Sequence, residues 1–230
     1  MTENKIPKIL WLWIPLAIAI GQVILELTVD KTIVSISHSE NGPHELMQFF
    51  FITMAGVVAA LILIKFHSVM NLLIKAWIFI ALLACIYVSG EEVSWGQHFF
   101  DWTTPDFWSE LNDQQETNLH NTSSWLDQKP RLILEIGVIV GGLLMPLIEK
   151  FKPSWLKTKF EVLYPPITLW VTALMAELPK YIEKINNELG NDFFVRESEI
   201  QELFFFYFVL LYLINFYRIR KAELNKIKSA

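Results

Sequence analysis

"LLIKAWIFIALLACIYVS", Leu72 to Ser89, runs straight into "GEEVSWGQHFFDW", Gly90 to Trp102. At about 1.5 Å per residue, a helix over the first stretch reaches across most of a hydrocarbon core of about 30 Å. Its lone charge, Lys75, sits near the start. Apolar side chains fall on every face, where a soluble surface helix keeps a polar one. Five more blocks of this kind flank it, and the six cover approximately 9–29, 45–64, 72–89, 132–148, 160–178 and 200–217. Helices are expected in all of them, because lipid leaves an open segment no other way to satisfy its backbone N–H and C=O groups. The expected fold is all-α, an integral membrane bundle of about six transmembrane helices in one domain, 1–230. A long outer loop, 90–131, carries a short amphipathic helix.

Composition agrees. Of 230 residues, 53% are hydrophobic and 14% aromatic, and mean hydropathy is +0.37. Soluble domains are about 45–50% apolar, glycine included. The net charge of −5 offers no basic face for nucleic acid. Cys85 is the single cysteine, which rules out an intramolecular disulfide and a zinc site built on paired thiolates. Deep in an apolar block, it reads as a small buried hydrophobe. The first block follows Lys5 and Lys8 and holds Ala17-Ile18-Ala19, which imitates a signal-peptide cleavage site. The apolar run continues through Val23, Ile24, Leu25 and Leu27, so the segment is expected to stay as a span. Gly137 and Gly141 form a small-xxx-small pair suited to close packing within the bundle. Pro165-Pro166 removes two backbone donors and should kink or break the fifth helix near its inner end.

Lysine and arginine set the direction. With the N-terminus inside, 13 of the 19 basic residues lie in inner segments, among them Lys65, Lys150, Lys152, Arg218 and Arg220. The outer segments hold Lys31, Lys129, Arg131, Lys180, Lys184 and Arg196. The chain is expected to be a multi-pass protein of the bacterial inner (plasma) membrane with both termini cytoplasmic.

On that topology every span brings a carboxylate to the same outer depth: Glu26, Glu45, Glu91 with Glu92, Glu135, Glu177, and Glu199 with Glu202. His38, His44, His98 and His120 are outer as well, and only His67 is inner. Charges beside spans usually face a bundle interior or a wet cavity, which points to a polar pocket open to the outer side. Glu45 and Glu199 also stand at helix N-termini, where a carboxylate complements the dipole.

If the third helix continues past Ser89, Glu91, Ser94, Trp95 and His98 fall at offsets 0, 3, 4 and 7 on one face. Thr104-Pro105 looks like an N-cap with proline at the first helical position. A short helix through "DFWSELND" would then lie on the membrane surface. In "QQETNLHN", Gln114 to Asn121, a helix would put Glu116 and His120 on one face.

These stretches resemble a family of uncharacterised bacterial inner-membrane proteins. Its pattern is GEE, a hydrophobic residue, SWGQ, a TP pair, then QGETNLHN. "ENGPHELMQFFFITMAG" in the second span and "ESEIQELFFFYFVLLYLINFYR" in the sixth are similar to that family too. Together the matching stretches cover roughly a third of the chain, and Gln115 stands where the pattern has glycine. The resemblance implies a shared outer-facing polar site and brings no activity with it.

Two chemistries suit these residues. A divalent metal such as zinc takes imidazole and carboxylate ligands, here Glu92, His98 and His120, although no HExxH motif is present. Without metal, Glu91, Glu92, Glu116 and His120 form a catalytic set for general acid–base work. Ser94 lacks the GxSxG context of a nucleophile. Trp95, Gln97, His98, Asn118, Asn121 and Glu202 would bind substrate, with amide side chains suited to sugars or polar head groups. Trp95, Trp102, Trp108 and Trp125 also fit an interfacial aromatic belt.

The expected partners are the bilayer and a lipid or glycolipid ligand. Oligomeric state is not readable from the sequence. Three functions stay open: hydrolysis or group transfer on a lipid or lipid-linked substrate, a non-catalytic subunit with a structural polar network, and a proton- or cation-coupled transporter. The transporter lacks broken helices at mid-membrane, apart from the Pro165-Pro166 site.

Overall fold

A computed structural model of the chain describes residues 6–38, 42–111, 116–119, 122–156, 158–190 and 193–229. Among these, regular structure is helical throughout. Six helical segments are long and apolar enough to cross a membrane: Ile9–Thr28, Pro43–Val69, Leu72–Glu92, Gln128–Phe151, Phe160–Glu188 and Glu197–Ser229. They match the six expected blocks. The segments alternate in direction, so Gly90 and the start of the sixth span share one end of the bundle, called here the loop end.

The first span is α1 (Ile14–Thr28), entered through a π-helical turn, Ile9–Trp13. A short helix, α2 (Lys31–Ser37), follows at the loop end, capped by Asp30, whose carboxylate accepts from Thr32 N at 2.9 Å. Next come α3 (Pro43–Phe66) and α4 (Leu72–Glu92). The Asn71 side chain caps α4 by accepting from Ile74 N at 3.0 Å. The long connection holds two short helices, α5 (Gln97–Phe100) and α6 (Asp106–Leu111). The fourth span is α7 (Ser124–Val138), a π-helical segment Ile139–Leu144, and α8 (Met145–Phe151). The last two helices are α9 (Trp170–Glu188) and α10 (Glu197–Ser229).

The sixth span is the central post. In α10, 72% of the apolar window is buried, against 17% in the first and third spans. Phe204 to Phe208 are buried in succession around the whole circumference, as an all-apolar helix requires. The outer helices instead show lipid-facing side chains such as Leu72, Ile64 and Leu27. α3 and α9 pack along α10, and α4 packs on α3.

The fifth span breaks where Pro165-Pro166 stands. Short 3-10 segments, Thr158–Leu163 and Ile167–Leu169, lie on either side before α9 begins. Tyr212 of α10 donates to the Leu163 carbonyl at 3.0 Å, satisfying an acceptor at the end of the first segment. Close packing falls one residue away from the glycine pair singled out in the sequence. A Cβ on Gly142 would press on Ala173 and sit 2.8 Å from Phe208, whereas one on Gly137 would meet nothing within 4 Å. Gly141 does approach closely, 2.9 Å from Pro165.

Candidate functional site: a polar-headed cavity at the loop end

The third helix continues past Ser89 but stops at Glu92, short of His98. Ser94, Trp95 and Gly96 take φ of 46°, 54° and 105°, a left-handed turn that redirects the chain into α5. The single-face placement at offsets 0, 3, 4 and 7 is therefore replaced by a folded-back one. Two consecutive non-glycine residues in this region cost on the order of 1–3 kcal/mol each, so surrounding contacts must hold them. Those contacts are present. Trp95 Nε1 donates to Glu91 Oε1 at 2.7 Å, and the ring lies so close over Gly90 that a Cβ there would be 2.8 Å from it. Ser94 Oγ donates to Glu116 Oε2 at 2.6 Å and is fully buried.

Residues 116–119 are not helical; they are tied onto the turn by side chains. Glu91 Oε2 accepts from Leu119 N at 2.7 Å. Gln97 Oε1 accepts from Thr117 N at 2.8 Å, while its Nε2 donates to Thr104 Oγ1 at 2.8 Å. Trp102 Nε1 donates to Thr117 Oγ1 at 3.1 Å. Asn118, with no exposed surface, donates to Ser94 Oγ at 3.0 Å and to Glu116 Oε2 at 2.5 Å. His98 Nε2 lies 2.8 Å from Glu116 Oε1 and 3.1 Å from Ser94 Oγ.

Ser94, His98 and Glu116 do not form a nucleophilic triad. That arrangement needs serine and acid on opposite ring nitrogens, with the serine proton given to the histidine. Here both partners meet the same Nε2, and the serine proton goes to the carboxylate. Ser94, His98, Glu116 and Asn118 are joined in one hydrogen-bonded network of buried and part-buried groups.

Glu92 points elsewhere. It lines a cavity of about 1230 Å³ together with Glu45, Glu91, Glu116, Glu199 and Glu202. Among the described residues Glu92 has no hydrogen-bond or ion-pair partner; its electrostatic neighbours are Glu202, Glu199, Glu45 and Glu91. Two arginines missed in the sequence, Arg131 and Arg196, also line the mouth. Arg131 pairs with Glu202 at 3.3 Å and donates to Gln201 at 3.2 Å. Arg196 lies 3.7 Å from Glu199 and donates to the His38 carbonyl at 2.7 Å. Their long sequence separation from α4 left no local signal. His38, in the same lining, is held neutral: burial, then the neighbouring His44, pull its pKa down to about 4.

Below this mouth the wall is apolar, from Ala81, Ala84 and Cys85 on α4 to Leu134 and Val138 on α7 and Phe205 on α10. The cavity reaches as far as Pro165. Ile133, at 71% exposure, and Trp77, at 48%, border it, so it opens sideways between the third and fourth spans. Those two spans share no extensive packing.

The other acids at this end have structural partners or lie apart. Glu26 accepts from Gln22 Nε2 at 3.0 Å, Val195 N at 3.1 Å and Lys31 at 3.0 Å. Glu183 holds Phe193 N and Phe194 N. Glu135 pairs with Lys180. Of the residues expected at the site, Glu91, Trp95, Gln97, His98, Glu116 and Asn118 gather in one network. Glu92 and Glu202 face the cavity, and Glu91 and Glu116 border both. His120 and Asn121 lie outside the described residues. Among the described residues no three His, Cys, Asp or Glu side chains converge on a metal position. Glu92 and His98, from the expected metal set, belong to different clusters, the cavity mouth and the Ser94–Glu116 network. Compared with protein-family models, curated proteins and solved structures, the chain matches none, and its function is read from this geometry.

Proposed function

We propose that the protein takes a membrane amphiphile, a lipid or lipid-linked substrate, from the bilayer into the cavity between its third and fourth spans. The head group sits at the carboxylate-rich mouth and the chains lie along the apolar wall. One observation carries this: a cavity of about 1230 Å³ whose carboxylates are all at one end, with an apolar remainder opening sideways. Its volume exceeds the roughly 300–1,000 Å³ of drug-sized pockets, which leaves room for hydrocarbon. Hydrolysis or group transfer at the head is the chemistry such a mouth supports, with Glu92 as general base beside the substrate. The distribution of lysine and arginine supports placing the loop end on the outer side of a bacterial inner membrane.

For the network of Ser94, His98, Glu116 and Asn118, the hydrogen bonds that join the turn to Glu116 and Asn118 favour a second role, that of holding residues 116–119 against the mouth.

The test is lipid retention. The protein is purified in mild detergent and its bound amphiphile measured by native mass spectrometry. An Ala84→Trp variant, which fills the apolar part, is measured beside it. Wild type should retain a stoichiometric amphiphile, and the variant, with an unchanged melting temperature, should lose it. Equal retention by both, or none by wild type, overturns the proposal.

A further inference from the structure

We infer that the cavity selects an amphiphile by chain length, about 14 carbons below the head, and that the broken fifth span is the stop that measures it. This rests on the cavity reading above and names the class of ligand it takes, a straight-chain amphiphile of defined length.

The apolar wall has a top and a bottom. On α4 it runs from Val88, just below the glutamates, through Cys85, Ala84 and Ala81 to Trp77. At about 1.5 Å per residue, that run is about 16 Å deep. The fourth span lines the cavity over an equal run, Leu134 to Met145. An extended hydrocarbon chain gains about 1.2 Å per bond, as an extended backbone does, so about 14 carbons fill the depth.

The bottom is where the fifth span breaks. Pro165-Pro166 cannot continue a helix, and from this stretch Phe160, Leu163 and Pro165 line the cavity. Trp77 Nε1 donates to Tyr212 OH at 3.0 Å, and Tyr212 in turn donates to the Leu163 carbonyl at 3.0 Å. Those two bonds tie α4, α10 and the fifth span together at one level. Pro165 packs on the fourth span there, 2.9 Å from where a Cβ on Gly141 would sit. The break is thus held in place from three sides.

A stop is what length selection needs. Hydrocarbon has no preference of its own between lipid tails and an apolar protein wall. A chain too short leaves space unfilled and forfeits dispersion contacts. One too long presses on Leu163 and Tyr212, and overpacking of that kind is costly. The opening between the third and fourth spans admits the chain sideways, with the head at the mouth and the tip at the Trp77–Tyr212–Leu163 tie.

Saturated monoacylglycerols of 10 to 20 carbons keep one head group and vary only in length, so they serve as the probes. An equimolar mixture is added to the full-length protein in mild detergent, and the occupancy of each length is read by native mass spectrometry. Wild type should favour chains near 14 carbons, with occupancy falling at least about fivefold by 18. Leu163→Ala lowers the stop and should move the favoured length up by about two carbons. Ala81→Trp fills the lower wall and should move it down by about four. Ala84→Trp should abolish binding at every length. Occupancy that follows the mixture in wild type, with binding lost in Ala84→Trp, overturns the length selection and leaves the cavity standing. A wild-type preference that neither Leu163→Ala nor Ala81→Trp moves overturns the fifth span as its source. Binding undiminished by Ala84→Trp, or none in wild type, overturns the cavity itself.

Discussion

Replacing Glu91 by glutamine keeps the size of the side chain but ends its ability to accept on both oxygens. In the native protein Oε1 takes the Trp95 indole N–H and Oε2 takes Leu119 N, each at 2.7 Å, and Glu91 is 4% exposed. Glutamine offers one acceptor and turns an NH₂ toward the other donor. One charge-assisted bond, worth about 1.5–3 kcal/mol, is lost, and a part-buried N–H is left unmet. A net loss of about 2–3 kcal/mol corresponds to a fall in melting temperature of about 5–10 °C for a chain of this size. Cys85, the single cysteine and 2% exposed, makes the assay simple, because a thiol-reactive fluorogenic dye reports its exposure on heating. Glu92→Gln, which removes no hydrogen bond, should melt within about 2 °C of wild type in the same assay. Two adjacent glutamates then separate cleanly, one as an anchor and one facing the ligand. A Glu91→Gln protein that melts like wild type would refute the anchoring role and the account of how the Ser94–Gly96 turn is held.

Other perturbations test other links. Gly142→Ala should destabilise by about 1–3 kcal/mol, since its Cβ presses on Ala173 and Phe208, whereas Gly21→Ala, with nothing within 4 Å, should be neutral; both are read as melting temperatures. The His38 ring titrates near 4 when folded and near 6.5 when unfolded. On acidification the unfolded chain therefore takes the proton first, and stability falls as pH drops from about 6.5 toward about 4, by up to roughly 3 kcal/mol. Denaturation profiles at pH 7 and 4.5 should show this loss in wild type and a smaller one in His38→Gln.

The spans were legible because lipid imposes a simple rule of length and apolarity. Leu72–Ser89 is visibly a membrane helix without any knowledge of its neighbours. Ends were less legible. The third helix runs on to Glu92 and the sixth to Ser229, because a helix continues into water as readily as it stops at the boundary. The polar network was half legible. Glu91, Gln97, His98, Glu116 and Asn118 stood out as polar residues beside apolar blocks. Their arrangement did not, since the turn at Ser94–Trp95–Gly96 holds two residues with positive φ that no local preference favours. Distant partners stabilise it, Glu116 and Asn118 from the far end of the loop. The cavity was not legible at all. It exists because α4 packs on α3 while the fourth span packs toward α9, a choice made by tertiary fit such as Gly142 against Ala173. Glu45 and Glu199, readable as helix-terminal acids, acquire a second setting only when that gap brings them beside Glu92.

Leu83 and Ala84 are adjacent on α4 at nearly the same depth; Ala84 lines the cavity, and Leu83, 50% exposed, does not. A photo-crosslinking phenylalanine derivative placed at each position in native membranes, with adducts identified by mass spectrometry, compares the cavity with the open bilayer directly. Adducts from position 84 should be enriched in one class of amphiphile, while those from position 83 should mirror the bulk lipid. The same bulk mixture at both positions would contradict selective binding in the cavity.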